Sequence, residues 1–317
     1  MLSPISLETI GIIMHQQRHD NHRQGVMLIV GSVCLLALSD ALVKYLSAAL
    51  SLWQLLAMAS LVSIPIVAGC LVLRGGLAAL VPGKIGWVML RSLLLLAMWL
   101  LFYAALPLIP LATAAVGIYT TPLFIAMMAS LMGDERLTLR RWAAIGIGFG
   151  GVLLVLRPGP GLVSVAICLP VAAACCYAVA MVLTRRHCAG ERPLVLALGL
   201  NLSFALAGLV GSGLTATTIG DTAVRQGFLS RQWQPLDIFE ISLILVYALL
   251  MVTVNTGVAR AYQIAPSSLV GTFDYAYLIF AIGWGFWLFG EVPDGPMLVG
   301  MAIILIAGWL VIRQHKA

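Results

Sequence analysis

Charge is what this sequence has least of. Asp, Glu, Lys and Arg make up 9% of its 317 residues, against about 25% in an ordinary soluble domain. So small a polar complement excludes a water-soluble globule, because 62% of the residues are hydrophobic and could not all be covered. Common catalytic signatures are missing too. There is no H-E-x-x-H and no Walker loop, so ATP hydrolysis within the chain cannot drive anything. The histidines lie outside the apolar runs, and the cysteines form no metal-type C-x-x-C pair. No cofactor and no metal are implied, and the chain reads as something other than an enzyme. No apolar signal-peptide core with a small-residue cleavage site opens the chain. The polar start, with His15, His19 and His22, reads as a disordered cytoplasmic tail rather than a metal site, with either Met1 or Met14 as the true start.

What is present is a series of long apolar runs. They fall near 25–45, 52–73, 85–105, 109–132, 142–157, 161–184, 193–214, 238–260, 266–289 and 296–312. A bilayer forces such runs into helices, because an unpaired backbone group in hydrocarbon costs several kcal/mol, and each crossing needs about 20 residues. The alternating ten-residue segments of a membrane barrel are absent. The expected fold is therefore an all-α membrane protein of ten transmembrane helices.

The basic residues support that count. The net charge of +6 does not point to nucleic acid, because Lys and Arg of membrane proteins gather in cytoplasmic loops. With both termini cytoplasmic, the cytoplasmic segments hold thirteen of the 18 basic residues, among them Arg74, Lys84, Arg140, Arg185 and Arg192. The outer segments hold Arg157, Arg225 and Arg231, and Lys44 and Arg91 fall inside helices. Adding or dropping one helix would scramble this alternation. The location expected is the inner (cytoplasmic) membrane.

An internal repeat divides the chain. IPLATAAVGIYTTPLF from Ile109 matches APSSLVGTFDYAYLIF from Ala265 at Pro110 and Pro266, at Tyr119 and Tyr275, and at Phe124 and Phe280. Each run leads to an acidic turn, GDERLT at Gly133 and GEVPDG at Gly290, and then to a Gly-rich helix. Five helices per half is an odd number, so the second half enters the membrane from the opposite side. That is an inverted-topology repeat, common among secondary transporters. The expected layout is a tail at 1–24, one five-helix repeat at 25–157, a second at 161–312, and a short cytoplasmic tail at 313–317.

These features together resemble the drug/metabolite transporter superfamily in its EamA-type branch. The resemblance is carried by SDALVKYL at 39–46, the PLATAAVGIYTTPLF run, GDERLTLRRW at 133–142, AYQIAPSSLVGTFDYAYLIFA at 261–281 and the closing GEVPDG. It implies ten helices in two inverted five-helix repeats around a central cavity that opens alternately to each side. Many relatives carry Glu-Pro in the fourth helix, whereas this chain has Thr121–Pro122, so no carboxylate is expected there.

Charges inside a bilayer cost about 2.5–3.5 kcal/mol each on insertion scales, so the buried ones are weighed singly. Asp40 and Lys44 are four residues apart on one helix face and can pair. They read either as an interfacial pair reaching outward or as the lining of the outer cavity. Arg91 lies roughly 9 Å into its helix; it either snorkels to the cytoplasmic side or faces inward to fork onto a carboxylate or phosphate. Asp274, roughly 12 Å deep, is the strongest candidate, for a substrate amine or a proton-coupled switch, with Tyr275 and Tyr277 beside it. Tyr119, Thr121 and Asn255 could offer polar contacts. Pro122, expected mid-helix, and Pro266 are candidate hinges. Trp99 and Tyr103 could stack a planar substrate or simply pack.

The reading that results is a secondary carrier that exports a small polar, amino-acid-like metabolite by alternating access. Its partners are that substrate, the lipid bilayer and a proton or other coupling ion. The alternatives are an importer of a vitamin or an S-adenosylmethionine-like nucleoside and, from another class, an intramembrane lipid-modifying enzyme.

Overall fold

The computed structural model describes residues 7–131, 139–156, 165–217 and 227–313, apart from Tyr119, Pro266 and Tyr275. Within them every regular element is helical. Seven helical segments are long and apolar enough to cross a bilayer: Arg23–Leu46, Leu52–Gly75, Ile85–Ala105, Ala166–His187, Pro193–Thr217, Ile238–Ile264 and Leu269–Phe289. Two shorter apolar stretches, Thr113–Ile125 and Gly295–Ala307, accompany them. The protein is a multi-pass membrane protein.

In chain order the helices are α1 (Leu7–Leu46), α2 (Leu52–Gly75), α3 (Ile85–Ala105), α4 (Leu111–Ile118), α5 (Thr121–Leu131), α6 (Leu139–Leu156), α7 (Val165–His187), α8 (Pro193–Thr217), α9 (Ile238–Ile264), α10 (Ser267–Phe273), α11 (Ala276–Phe289) and α12 (Gly295–Arg313). Two expectations change here. The N-terminal segment is not a disordered tail from Leu7 onward. It is helix continuous with the first span, and no proline interrupts it before Leu46. The apolar runs at 109–132 and 266–289 are each broken in two, as α4 with α5 and α10 with α11.

The first break does not lie where proline chemistry suggested. α5 begins at Thr121, so Pro122 occupies the first turn of a new helix rather than the middle of a bent one. A first-turn proline loses no intrahelical hydrogen bond and has a suitable φ. The break is stabilised from the other side. The Thr120 hydroxyl donates to the Gly117 carbonyl at 2.8 Å and the Thr121 hydroxyl to the Ile118 carbonyl at 2.5 Å. Those bonds satisfy carbonyls that the end of α4 leaves open.

The most extensive helix contacts join α6 to α12, α2 to α8, α3 to α7 and α1 to α9. Small residues allow the close approaches. A Cβ on Gly208 of α8 would lie 2.6 Å from the Ala57 backbone nitrogen of α2, so only glycine fits there. Lipid gives helices no hydrophobic reason to associate, and close backbone packing supplies the attraction instead.

Loop contacts define the two ends of the bundle. At one end Trp53 donates to the Leu229 carbonyl, and Gln54 exchanges hydrogen bonds with Gln234 at 2.7 and 3.0 Å. At the other, Gln263 donates to the carbonyls of Cys188 and Glu191, and Arg185 donates to the Ala265 carbonyl at 2.6 Å.

Candidate functional site

The bundle centre contains a cavity of about 40 Å³ lined from six helices and one helix break. α1 contributes Leu36 and Asp40, α3 Met98, Trp99 and Phe102, and α7 Tyr177. The two broken helices supply Ile118 and Thr121 on one side, with Asp274 and Tyr277 on the other. A space this small holds a water or two and no metabolite.

Asp40 is 1% exposed, and its Oδ2 accepts a hydrogen bond from the Tyr277 hydroxyl at 2.7 Å. Its Oδ1 makes none among the described residues. Asp274 is 3% exposed at the break between α10 and α11, where its backbone N–H bonds Val270 and its carbonyl accepts from Tyr277. The Tyr262 hydroxyl lies 3.5 Å from Asp274 Oδ2, and the Tyr262 ring meets Tyr177 edge to face at 6.5 Å. The aromatic wall continues through Trp99, whose ring is 4.8 Å from that of Tyr103, and Tyr103 and Tyr247 share a hydroxyl hydrogen bond of 2.9 Å. Trp99 is buried, and its indole N–H finds no acceptor among the described residues.

Asp40, Thr121, Asp274 and Tyr277 therefore converge, while other expected residues lie elsewhere. Lys44 does not pair with Asp40. Its ammonium bonds Glu291 Oε1 at 2.5 Å and the Ile109 carbonyl at 3.2 Å, and lies 5.2 Å from the centre of the Phe289 ring. Glu291 Oε2 in turn accepts from the Leu111 N–H at 3.0 Å. Arg91 neither snorkels nor reaches the cavity. It is fully buried between α3, α7 and α8, where Nε donates to Thr184 Oγ1 at 2.7 Å and a terminal nitrogen to the Leu196 carbonyl at 3.4 Å. Asn255 is buried in α9 but is not among the lining residues. Tyr119, Tyr275 and Pro266 lie outside the described residues, as does the side chain of Pro122.

Sequence reasoning missed Glu291 as the partner of Lys44. The available signal was the acidic turn at Gly290, which matches the one at Gly133 in the other half. The pairing of Tyr277 with Asp40 joins residues 237 apart in the chain and left no local trace.

Several known proteins resemble the chain as a whole. A riboflavin transporter of Rhizobium johnstonii is 29% identical over 212 residues, which are 67% of this chain and 65% of that one. The alignment thus spans just under two thirds of that relative. An S-adenosylmethionine uptake transporter of Rickettsia felis is 23% identical over 72% of this chain and 71% of its own. A protein of known crystal structure shares the fold at a TM-score of 0.68 and 19% identity, covering 94% of this chain and 99% of that one. The sequence model of the EamA-like transporter family matches residues 23–157. Residues 23–157 thus match the EamA-like transporter family, and the relatives that resemble the chain over about two thirds of its length are named transporters.

Proposed function

We propose that this chain is a secondary carrier that imports a small ring-bearing metabolite across the inner membrane by alternating access through the central cavity. The carrying observation is the meeting of two broken helices, one from each half of the chain, around buried polar groups. Broken helices at mid-membrane are how transporters present backbone and side-chain polar groups to a substrate. Each half, 25–157 and 161–312, contributes five membrane helices, with α4 and α5 together forming one and α10 and α11 another.

The helix packing supports two inverted halves. If α1, α2, α3, α4–α5 and α6 correspond to α7, α8, α9, α10–α11 and α12, the contacts fall into matched pairs. α1 on α9 corresponds to α7 on α3, and α2 on α8 and α6 on α12 map onto themselves. α4 on α11 corresponds to α10 on α5, and α3 on α8 to α9 on α2. The asymmetry of Lys and Arg supports cytoplasmic termini. Import follows the printed activity of the S-adenosylmethionine relative. An amino-acid-like substrate fits less well, since neither Lys44 nor Arg91 is among the described residues that line the cavity.

Counterflow in proteoliposomes tests the carrier. Preloading with unlabelled substrate should accelerate entry of the labelled form, which a channel or an enzyme would not do; riboflavin and S-adenosylmethionine are the first probes. Topology is tested separately with Gly190→Cys and Gly295→Cys, two positions where a side chain meets nothing within 4 Å. On a background without other cysteines, an impermeant thiol reagent should label Gly295→Cys in intact cells and Gly190→Cys only after permeabilisation. Labelling of both from one side would overturn the inverted arrangement.

A further inference from the structure

We infer that the central cavity selects a positively charged substrate, an organic cation borne on or beside a planar ring; this rests on the carrier reading above. Among the described residues the lining holds two carboxylates, Asp40 and Asp274, and no lysine, arginine or histidine. The two cations buried nearest in sequence are committed elsewhere, Lys44 to Glu291 and Arg91 to Thr184. A substrate carboxylate or phosphate would therefore meet acidic groups with no cation to receive it, and in a low-dielectric setting that repulsion is severe.

The unmatched atoms sharpen the choice. Buried polar atoms in folded proteins are nearly always hydrogen-bonded, so an exception asks for a partner. Two exceptions belong to residues that line this one cavity. Asp40 Oδ1 is an acceptor without a donor, and Trp99 Nε1 is a donor without an acceptor, both counted among the described residues. Asp40 is held rigidly for the task, since Tyr277 fixes its other oxygen. A cationic centre placed against Oδ1 gains a charge-assisted contact. The same centre can lie over the faces of Trp99, Phe102 or Tyr177, where ring quadrupoles attract cations. A ring acceptor on the substrate would take the Trp99 N–H. A neutral ligand satisfies the ring faces but leaves the carboxylate without its strongest partner.

Two probes isolate the charge. S-adenosylmethionine and S-adenosylhomocysteine share purine, ribose and amino-acid groups, and differ by one methyl and the positive charge on sulfur. Binding to the purified protein by calorimetry, and counterflow in proteoliposomes, should both favour the sulfonium by roughly tenfold or more. Asp40→Asn should abolish that preference, whereas Asp40→Glu should retain part of it, and Trp99→Phe should weaken both probes alike. Size-exclusion profiles identify any variant that fails to fold, and the unmodified protein alone already decides the charge preference. Equal binding of the two probes, tighter binding of neutral riboflavin, or no binding of any probe overturns the inference. If riboflavin undergoes counterflow while the sulfonium is ignored, the carrier stands and the charge rule falls. If the sulfonium binds selectively but is never transported, the charge rule stands and the carrier falls.

Discussion

At Asp40 one carboxylate oxygen is fixed by Tyr277 and the other has no partner among the described residues, while at Arg91 the guanidinium is tied to Thr184 and to the Leu196 carbonyl. Both are buried charges, and burial alone does not separate them. What separates them is whether the polar atoms are used up. Thr184 also donates to the Ala180 carbonyl at 2.7 Å, so Arg91 completes a small network that joins α3 to α7 and α8. Arg91→Ala should therefore cost about 2–4 kcal/mol through a cavity and a lost charged hydrogen bond. Arg91→Met should recover most of that, since apolar residues of similar volume often replace buried charges at little cost. Thermal unfolding in detergent reads the stability, and substrate affinity should stay within twofold in both variants. A tenfold loss of affinity in Arg91→Met would return Arg91 to the site. The sequence marked both residues as costly charges in apolar runs, which is correct. It could not say which one faced the cavity, because partners such as Thr184 are 93 residues away.

The elements show where a local rule misleads. Thr121–Pro122 in an apolar run reads as a proline kink, yet the chain is already in a turn at Thr120, ahead of the proline. Thr120 and Thr121 cap the carbonyls there, and Pro122 then starts α5 with a φ already suited to a first turn. Pro122→Ala should accordingly change stability by less than about 1 kcal/mol and leave transport within about twofold. A strongly altered rate, with transport recovered by a glycine at the same position, would show instead that the proline acts as a hinge. The helices themselves were legible, because continuous apolar runs of about 20 residues in a bilayer leave one choice. The breaks were only half legible. The turns at Thr120 and Asp274 fall within two residues of matching positions in the repeated segments, but periodicity is blind to an interruption inside a run that is apolar all round. The Asp40–Lys44 spacing misled for a related reason. Four residues put two side chains on one face, but which partner each takes depends on what the neighbouring helices bring.

For the molecule as a whole, two glutamates close opposite ends of the bundle in the same way. Glu291, in the second half, bonds the Leu111 N–H that begins α4 of the first half, and takes Lys44 of α1 as its counterion. Glu191, also in the second half, accepts from the N–H groups of Gly83 and Lys84 at 3.1 and 2.7 Å, at the start of α3. Each carboxylate thus sits at a helix N-terminus across the line between halves, where aligned N–H groups favour negative charge. Each glutamate therefore ties the two halves together at one end of the bundle, and a carrier of the kind proposed must release one such tie while keeping the other. Glu291→Ala should then bias the protein open at the proposed outer face, and Glu191→Ala toward the proposed cytoplasmic face. Thr121→Cys, on the cavity wall, reports the difference on a background without other cysteines. An impermeant thiol reagent should reach it from outside intact cells several-fold faster in Glu291→Ala and no faster in Glu191→Ala, with the order reversed in inside-out vesicles. Glu291→Gln should lose the effect of the charge but keep an acceptor for Leu111, so its rate should fall between the parent and Glu291→Ala. Equal acceleration from both sides by either alanine variant would mean that the glutamates merely stabilise the fold, and the paired closure would have to be abandoned.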